Sequence, residues 1–151
     1  MMLNLSKKIL VAIDGSPQSD KAAEEAVRLA AASGTRFKSK VHAMLVLPSM
    51  RTPSFTDFFP SPPATERPDW EETRKRIFYV VEKAAREADV PLVSEVVYGE
   101  AAEEILSFAE EHEMDVIVIG SSGSGRVRRA LLGSVSAKVA SQARCSVYIV
   151  R

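Results

Sequence analysis

Short runs of branched apolar residues alternate along the chain with segments in which apolar residues recur every three or four positions. The runs predict buried strands, because a strand covered on both faces is continuously apolar. Five such runs occur, at Lys8 to Ile13, Lys40 to Leu47, Pro91 to Tyr98, Asp115 to Gly120 and Ser146 to Val150. The segments between them predict helices, so the order of elements is β-α-β-α-β-α-β-α-β.

Particular residues mark where the helices begin and which side of each points inward. Ser16-Pro17 supplies an N-cap followed by proline at the first helical position, so the first helix is predicted to begin there. The third helix is predicted to point Ile105, Leu106 and Ala109 inward, and a fourth is predicted from about Gly133 to Ala143. For the second helix the predicted inward residues are Trp70, Ile77, Val80, Val81, Ala84 and Ala88.

This order of elements predicts an α/β fold: an open, mostly parallel five-stranded sheet of Rossmann-like type with helices on both faces. Right-handed crossovers place the connecting helices over the sheet. In such sheets ligands bind beyond the carboxyl ends of the strands, where the strand order reverses. The candidate edges of that crevice are Asp14-Gly15, after the first strand, and the glycine- and serine-rich turn after the fourth.

The length of 151 residues fits a single domain, and one domain is predicted over residues 1–151. Residues 48–69 interrupt the alternation, because this segment holds six of the eight prolines. Proline precludes a regular helix and disfavours a central strand, so an irregular loop is predicted. Its residues Phe55, Phe58 and Phe59 make it either a lid or partner contact, or a loop that these side chains merely fix to the surface.

Charge and cysteine content exclude several classes of function. Twenty basic residues balance twenty acidic ones, so no overall field favours nucleic acid or an anionic membrane, and neither is an expected partner. No apolar run approaches the roughly 18 residues of a membrane span, and the N-terminus lacks the pattern of a signal peptide. The single cysteine, Cys145, excludes an internal disulfide and a metal site of several cysteines. A cytoplasmic protein is therefore expected.

The turn after the fourth strand has the pattern G-x2-G-x9-G, formed by Gly120, Gly123 and Gly133, with Ser134 next. Glycine lets a ligand approach the main chain closely, and successive amide groups in such a turn form an anion-binding concavity. The helix that begins near Gly133 offers N–H groups and a positive dipole end to phosphate. The hydroxyl of Ser134 is expected either to cap that helix or to donate to a ligand oxygen.

Three arginines, Arg126, Arg128 and Arg129, lie between the glycines and add positive charge. The whole stretch therefore suits a polyphosphate, and the alternative is a flexible turn followed by an ordinary helix cap. It is not a Walker A loop, because no Lys-Ser or Lys-Thr follows the glycines, and it does not fit the dinucleotide fingerprint G-x-G-x-x-G.

Two segments resemble the universal stress protein family. "KILVAIDGS" is similar to the family's opening strand with its aspartate, and "GSSGSGRVRRALLGSVS" matches the family's signature G-x2-G-x9-G-[ST] at every fixed position. The resemblance covers nearly the whole chain. It implies the strand order 3-2-1-4-5 and the binding of ATP or a related adenine nucleotide, with Mg²⁺ or Mn²⁺ as the metal that would accompany the phosphates.

The resemblance also implies a set of site residues, which are Ala12, Asp14, Val46, Gly120, Gly123, Gly133, Ser134 and Val135. The first three would contact adenine and ribose, and Asp14 would also lie near a phosphate-bound metal ion. Gly120 would border the ribose, and the later residues would hold the phosphates. The arginines are not fixed positions of the motif, and one of them, Arg126, is expected to reach phosphate while the others are solvated. Two alternatives stay open: Asp14 as a plain turn residue, and Val46 as a plain core residue.

Little in the sequence indicates catalysis. His42 and His112 lack metal-ligand spacing, the glycine turn contains no G-x-S-x-G nucleophile elbow, and Cys145 is interpreted as a small buried apolar residue. The expected function is that of a stress-response protein that binds an adenine nucleotide as a sensor or regulator, with at most weak ATP hydrolysis. The alternatives are a slow metal-dependent nucleotide hydrolase that uses Asp14, and a dimeric interaction module with a vestigial site.

The resemblance places the last strand, Ser146 to Val150, at one edge of the sheet. Its outer N–H and C=O groups would then face water, and an apolar edge without proline or internal charge is prone to pair. Members of the family commonly dimerise in this way. A homodimer through Ser146 to Val150 is therefore expected, and the alternative is a monomer whose edge is too short to pair.

Overall fold

The computed structural model describes residues 7–32, 39–48, 70–121 and 132–151, and within them strand and helix alternate as predicted. The bounds of two strands agree with the prediction, and those of the other three differ by one residue. The strands are β1 (Lys8–Ala12), β2 (Lys40–Leu47), β3 (Leu92–Tyr98), β4 (Val116–Gly120) and β5 (Ser146–Val150). The helices are α1 (Pro17–Ala31), α2 (Trp70–Glu87), α3 (Ala101–Glu111) and α4 (Ser134–Gln142).

The five strands are parallel and form one sheet in the order β3-β2-β1-β4-β5, which confirms the expected topology. The central strand is β1, and its residues Ile9, Leu10 and Val11 are at most 1% exposed. A continuous apolar run is what a strand covered on both faces requires. In register, Val11 lies opposite Ala43 of β2 on one side and Val118 of β4 on the other. The fold is therefore an α/β sheet of Rossmann-like type.

Two apolar clusters cover the two faces of this sheet. On one face Val11 belongs to a cluster with residues of α1 and α2, among them Ala26 and Val81. On the other face Leu10 belongs to a cluster with residues of α3 and α4, among them Ile105 and Val139. Adjacent residues of a strand point to opposite faces, which is why a single run on β1 serves both clusters. The starts of α1 and α4 thus approach the same end of the sheet from opposite faces.

The inward side of α2 agrees in part with the predicted one, since Val81 is buried and Val80 and Ala84 are partly buried against the same cluster. Its buried residues are Phe78, Val81 and Ala85, each at most 4% exposed. The predicted Ile77 is only partly buried, and the predicted Ala88 is exposed and lies just beyond the helix. Apolar side chains surround more than half of this helix in the segment "RIFYVV", so the helix pattern alone does not select one side. Contact with α1 decides which side is buried.

Part of the sequence prediction falls where the structure gives no description. Residues 49–69, which include most of the proline-rich segment and its three phenylalanines, lie outside the described residues, and so does the side chain of Trp70. Over the four described ranges, no helix combines the length and the apolar character that crossing a membrane requires.

Candidate functional site

The chain order of the strands reverses at β1, which pairs with β2 on one side and with β4 on the other. Beyond this pair of strands the connections diverge, since β1 leads into α1 on one face and α4 follows β4 on the other. The resulting gap is where open α/β sheets bind ligands. Asp14 follows β1, Gly120 is the last residue of β4 and Gly133 is the N-cap of α4, so these three residues border the gap.

Asp14 shapes the turn between β1 and α1. Its Oδ1 accepts a hydrogen bond from the N–H of Ser16 at 2.8 Å, and its own N–H donates to the Oγ of Ser19 at 3.2 Å. The N–H of Ser19 donates to the Oγ of Ser16 at 3.2 Å, which caps α1 as predicted. Gly15 has φ +85°, a conformation that favours glycine. Asp14 therefore does have the turn role considered for it, and its exposed position leaves a ligand role compatible with that turn.

Gly120 lets the first turn of α1 approach the end of β4. A Cβ atom at Gly120 would lie 3.0 Å from the Cβ of Gln18 and 3.1 Å from its carbonyl carbon and oxygen. Backbone atoms at that distance cannot move aside without shifting the helix, so a larger residue would overpack this contact. The structure thus gives Gly120 a packing role, while the contact to ribose that the resemblance implies stays a prediction.

The two ends of the glycine-rich segment meet at the carboxyl end of β4. The N–H of Gly133 donates to the carbonyl oxygen of Ser121 at 2.7 Å. The Oγ of Ser136 lies 2.9 Å from the same oxygen and 3.0 Å from the carbonyl oxygen of Gly133, so its hydroxyl donates into this junction. The sequence analysis missed Ser136, although a serine in the first turn of a predicted helix can reach back to the N-cap carbonyl.

The N-terminus of α4 has no side-chain cap within the described part of the chain. Its N-cap is Gly133, and Ser134 is the exposed first residue of the helix, so the capping role considered for Ser134 is wrong. The other two helices whose N-caps are described do have side-chain caps, from Ser16 for α1 and Glu100 for α3. The first bond inside α4 joins the N–H of Ala137 to the carbonyl of Gly133 at 2.9 Å. The amide groups before Ala137 therefore have no acceptor within the helix.

Three of the predicted contact residues lie against the same apolar cluster. Ala12, Val46 and Val135 are partly buried and pack on the cluster that α3 and α4 cover. Val97 of β3 belongs to the same set and lies in register with Val46. Together these four residues, named here the apolar wall, come from β1, β2, β3 and the start of α4. The sequence analysis missed Val97, which the alternation of side chains along β3 could have placed on this face.

The structure therefore brings together most of the predicted site residues. Asp14, Gly120, Gly133 and Ser134 border the gap beyond β1 and β4, and the apolar wall lies on the side of the sheet covered by α3 and α4. Gly123 and the three arginines Arg126, Arg128 and Arg129 lie outside the described residues.

Lys138 links the second turn of α4 to the start of α3. Its Nζ lies 3.7 Å from the Oε2 of Glu100 and 3.6 Å from the Oε1 of Glu103. The carboxylate of Glu100 also accepts hydrogen bonds from the N–H groups of Glu103, at 2.8 Å, and Ala102, at 3.3 Å. The bond from the Glu103 N–H is the main cause that lowers the pKa of Glu100. The starts of the two helices are thus tied together at the end of the sheet where the gap lies.

Negative charge accumulates on the α1 side of the gap. Burial raises the pKa of Asp20, in the first turn of α1, and the carboxylates of Glu24 and Asp14 raise it further. Over the described ranges, no group of three or more His, Cys, Asp or Glu side chains is placed to hold a metal ion. A divalent ion at Asp14 would therefore need further oxygen ligands from a bound phosphate and from water.

Comparison with known proteins places the chain in a family. Residues 6–151 match the family model described as "Universal stress protein family". Universal stress protein MJ0531 from Methanocaldococcus jannaschii is 33% identical over 155 residues, which cover 98% of this chain and 84% of the relative. Universal stress protein YxiE from Bacillus subtilis is 36% identical over 152 residues, which cover 95% of this chain and 98% of the relative.

Solved structures share the fold. The protein MJ0577 has a TM-score of 0.74 at 24% identity, with 97% of this chain and 96% of that chain covered. A universal stress protein in complex with cAMP has a TM-score of 0.68 at 24% identity, with 97% of each chain covered. The universal stress protein from Archaeoglobus fulgidus in complex with dAMP has a TM-score of 0.66 at 20% identity, with 97% and 99% covered. The family model and the two relatives show that the chain belongs to the universal stress protein family.

Proposed function

We propose that this chain binds an adenine nucleotide, ATP in the first place, in the gap beyond β1 and β4, and acts in the cytoplasmic stress response as a nucleotide-dependent sensor or regulator. The observation that carries the proposal is the uncapped start of α4, which lies beside Gly120 and on the same side of the sheet as the apolar wall. The whole chain, residues 1–151, would form the one binding domain.

The phosphate end of the site would be the start of α4. Its first amide groups have no acceptor within the helix and no side-chain cap, and the positive end of the helix dipole favours anions there. Gly133 has φ −64° and ψ 163° and carries no side chain that would occupy this space. The hydroxyl of Ser134 is exposed and is therefore available to a phosphate oxygen. Gly123 and Arg126 would complete the phosphate contacts.

The base and ribose would lie between the apolar wall and the turn after β1. Ala12 is small and partly buried, and Val46, Val97 and Val135 are partly buried rather than sealed in the core. Such side chains can bury the flat face of an adenine ring. Small-molecule pockets are usually lined by apolar side chains of this kind. Asp14 would contact the ribose or a metal ion on the phosphates, in keeping with the negative charge that collects around it.

Two fold relatives support the choice of an adenine nucleotide, since they were solved in complex with cAMP and with dAMP. The direct experiment is to purify the chain, release any retained ligand by heating, and identify it by mass spectrometry. Calorimetry on the ligand-free chain with ATP, ADP, AMP and cAMP would then rank the nucleotides. A chain that retains no nucleotide and shows no binding heat with any of the four would support the vestigial interaction module instead.

A slow hydrolase is the second candidate, and the exposed position of Asp14 at the gap favours it, because this carboxylate could hold a metal ion together with phosphate oxygens and water. Turnover measured with Mg²⁺ and with Mn²⁺ separates the two functions. A rate at the background level supports the regulator, and a rate that Asp14→Asn abolishes supports the hydrolase.

The same chain would also form a homodimer through β5. The carbonyl oxygen of Val150 accepts the N–H of Ser121, so the polar backbone groups of Val150 face β4. Backbone groups alternate in direction along a strand, so those of Val147 and Ile149 face away from β4. Two copies related by a two-fold axis could pair these groups symmetrically.

A further inference from the structure

His42 carries a buried nitrogen that has no hydrogen-bond partner. The residue lies near the start of β2, and its Nδ1 is the one side-chain polar atom in the described ranges that is both buried and unpartnered. Buried polar atoms in native proteins are nearly always hydrogen-bonded, so each exception calls for a physical reason. The proposed nucleotide site makes no use of His42.

Aromatic contacts connect His42 to the end of α3. The ring centroids of His42 and Phe108 are 5.8 Å apart, with the planes tilted by 56°. The ring of Phe108 lies in turn 4.1 Å from that of His112, at 32°. Phe108 is a buried residue near the end of α3, and His112 is the C-cap of the helix. These three residues, named here the three-ring stack, join β2 to the C-terminal turn of α3.

His42 is a partly buried residue, and the burial of its Nδ1 favours one charge state of the ring. A neutral imidazole can keep its hydrogen on the other ring nitrogen and leave Nδ1 as a bare lone pair. The imidazolium ion carries a hydrogen on both nitrogens, so it would bury a charged N–H group that has no acceptor. A charged donor without a partner is costlier than a neutral acceptor without one. The native contact between β2 and α3 therefore favours the neutral ring.

On balance, charged groups on the neighbouring elements also favour the neutral form of His42. Lys40 on β2, Lys8 on β1 and the imidazole of His112 on α3 disfavour a positive charge on His42, and Glu95 on β3 favours it. Asp115, just after α3, is engaged by the backbone N–H of Lys8 at 2.7 Å. Burial is the largest effect, and with the two lysines it lowers the pKa of His42 below its usual value of 6.5.

We propose that His42 makes the attachment of α3 to the sheet acid-sensitive: protonation of its imidazole releases the C-terminal turn of α3, with Phe108, from β2. Movement of that turn gives the buried N–H access to water, which removes the penalty of leaving it unpaired. The fold would then contain a conformational response to acidification that is separate from the nucleotide site.

The sign of the pH dependence follows from linkage. His42 has its usual pKa where the turn is open and a lowered pKa where the turn is attached, so the open form binds more protons. The attachment is therefore fully stable above a pH of about 6.5 and weakens as the pH falls from there toward the lowered value.

The test is amide hydrogen exchange of the full chain at pH 7.5 and at pH 5.5, expressed as protection factors so that the intrinsic effect of pH on exchange is removed. We expect the protection of residues 105–112 to fall by up to about tenfold over this range. The same amides should also be less protected at pH 5.5 than those of β1 and β4. His42→Gln, which cannot be protonated, should abolish the fall, and His112→Gln, at the exposed end of the three-ring stack, should preserve it.

Each other outcome would overturn the proposal. An equal fall in protection in His42→Gln would show that another group causes the effect. No fall in protection in the wild type would show that acidification does not release the turn. Equal protection of α3 and of the central strands at both pH values would show that the helix end does not open separately. Should His42→Gln not fold, the imidazole resonances of His42 in the wild type decide the matter by NMR, and a titration midpoint at or above 6.5 contradicts the proposal.

Discussion

The N–H of Gly133 donates to the carbonyl oxygen of Ser121 at 2.7 Å, and this bond joins the end of β4 to the start of α4. It fixes the uncapped helix start beside Gly120 whatever path residues 122–131 take between them. The position of the proposed phosphate site therefore depends on a backbone contact, which the hydroxyl of Ser136 reinforces.

Replacement of Gly133 by valine should weaken ATP binding at least about tenfold, which corresponds to about 1.4 kcal/mol, while the fold survives. The backbone there has φ −64° and ψ 163°, which valine can adopt, but its branched side chain would occupy the proposed phosphate space. Calorimetry measures the affinity, and thermal unfolding checks the fold. Ala140→Val, on an exposed position of the same helix, is the matched control. Equal affinities for ATP in the two variants would show that the phosphates do not bind at the start of α4.

Replacement of Ser134 by aspartate should change stability and binding in opposite directions. A carboxylate in the first turn interacts favourably with the helix dipole, so the ligand-free chain should be unchanged or stabilised by about 0.3–1 kcal/mol. The same carboxylate would repel phosphates, so the affinity for ATP should fall. Ser141→Asp, at an exposed position near the other end of α4, serves as the control. A variant of Ser134 that binds ATP as well as the wild type does would contradict the proposed site.

Gly120→Ala should destabilise the ligand-free chain by about 1–3 kcal/mol, because the added Cβ would lie 3.0–3.1 Å from atoms of Gln18. Urea unfolding gives the value. Gly133→Ala, where the conformation suits any residue, should cost less than about 1 kcal/mol. A loss at Gly120 no larger than that at Gly133 would show that α1 adjusts to the extra atom.

The main features of the fold were predictable because they depend on local patterns. Branched apolar runs located all five strands to within one residue, and Ser16-Pro17 located the start of α1. The buried side of α2 was predictable only in part. The pattern located Val81, Val80 and Ala84, but apolar residues surround more than half of the helix, so only contact with α1 selects Phe78 and Ala85.

Of the candidate site, the sequence could predict the residues of the glycine motif and those that the resemblance implies, but not the contacts between distant segments. The glycine pattern and the resemblance identified Gly120, Gly133 and Ser134, but the sequence could not show that Gly120 also accommodates Gln18. Ser136 and Val97 were missed because their roles depend on contacts between distant segments, with the carbonyl of Ser121 and with the register of β2 and β3.

The wild type should be a dimer by light scattering at micromolar concentration, and Val147→Pro and Ile149→Pro should each shift it toward the monomer. Both positions direct their N–H groups away from β4, and proline removes that hydrogen. Ser94→Pro is the matched control, because the N–H of Gly99 faces β2 and the alternation therefore turns Ser94 outward at the opposite edge. Circular dichroism confirms that each variant folds. A monomeric wild type would refute the dimer, and a dimer that only Ser94→Pro disrupts would move the interface to β3.

Cys145 should react slowly with iodoacetamide at pH 8. Burial raises the pKa of this partly exposed thiol, and only the thiolate attacks the reagent. The rate should fall about tenfold below that of a free cysteine for each unit by which the pKa is raised, and its dependence on pH should move to higher pH. Unfolding in urea should restore the free rate. A native rate equal to that of free cysteine would mean that the sulfur is open to water.

The central place of β1 in the sheet also determines when the proposed site can exist during synthesis. β1 can pair with β2 early, and β3 can then add to β2. The other neighbour of β1 arrives only with β4, and the N–H of Lys8 then donates to the carboxylate of Asp115, 107 positions later. Contacts of such long sequence separation form late because the closing loop is costly in entropy. A nascent chain that stops before β4 therefore exposes one edge of β1 and contains only the Asp14 side of the gap. Nucleotide binding would require both β4 and the start of α4 to be in place, so a bound nucleotide would report that these late elements have docked.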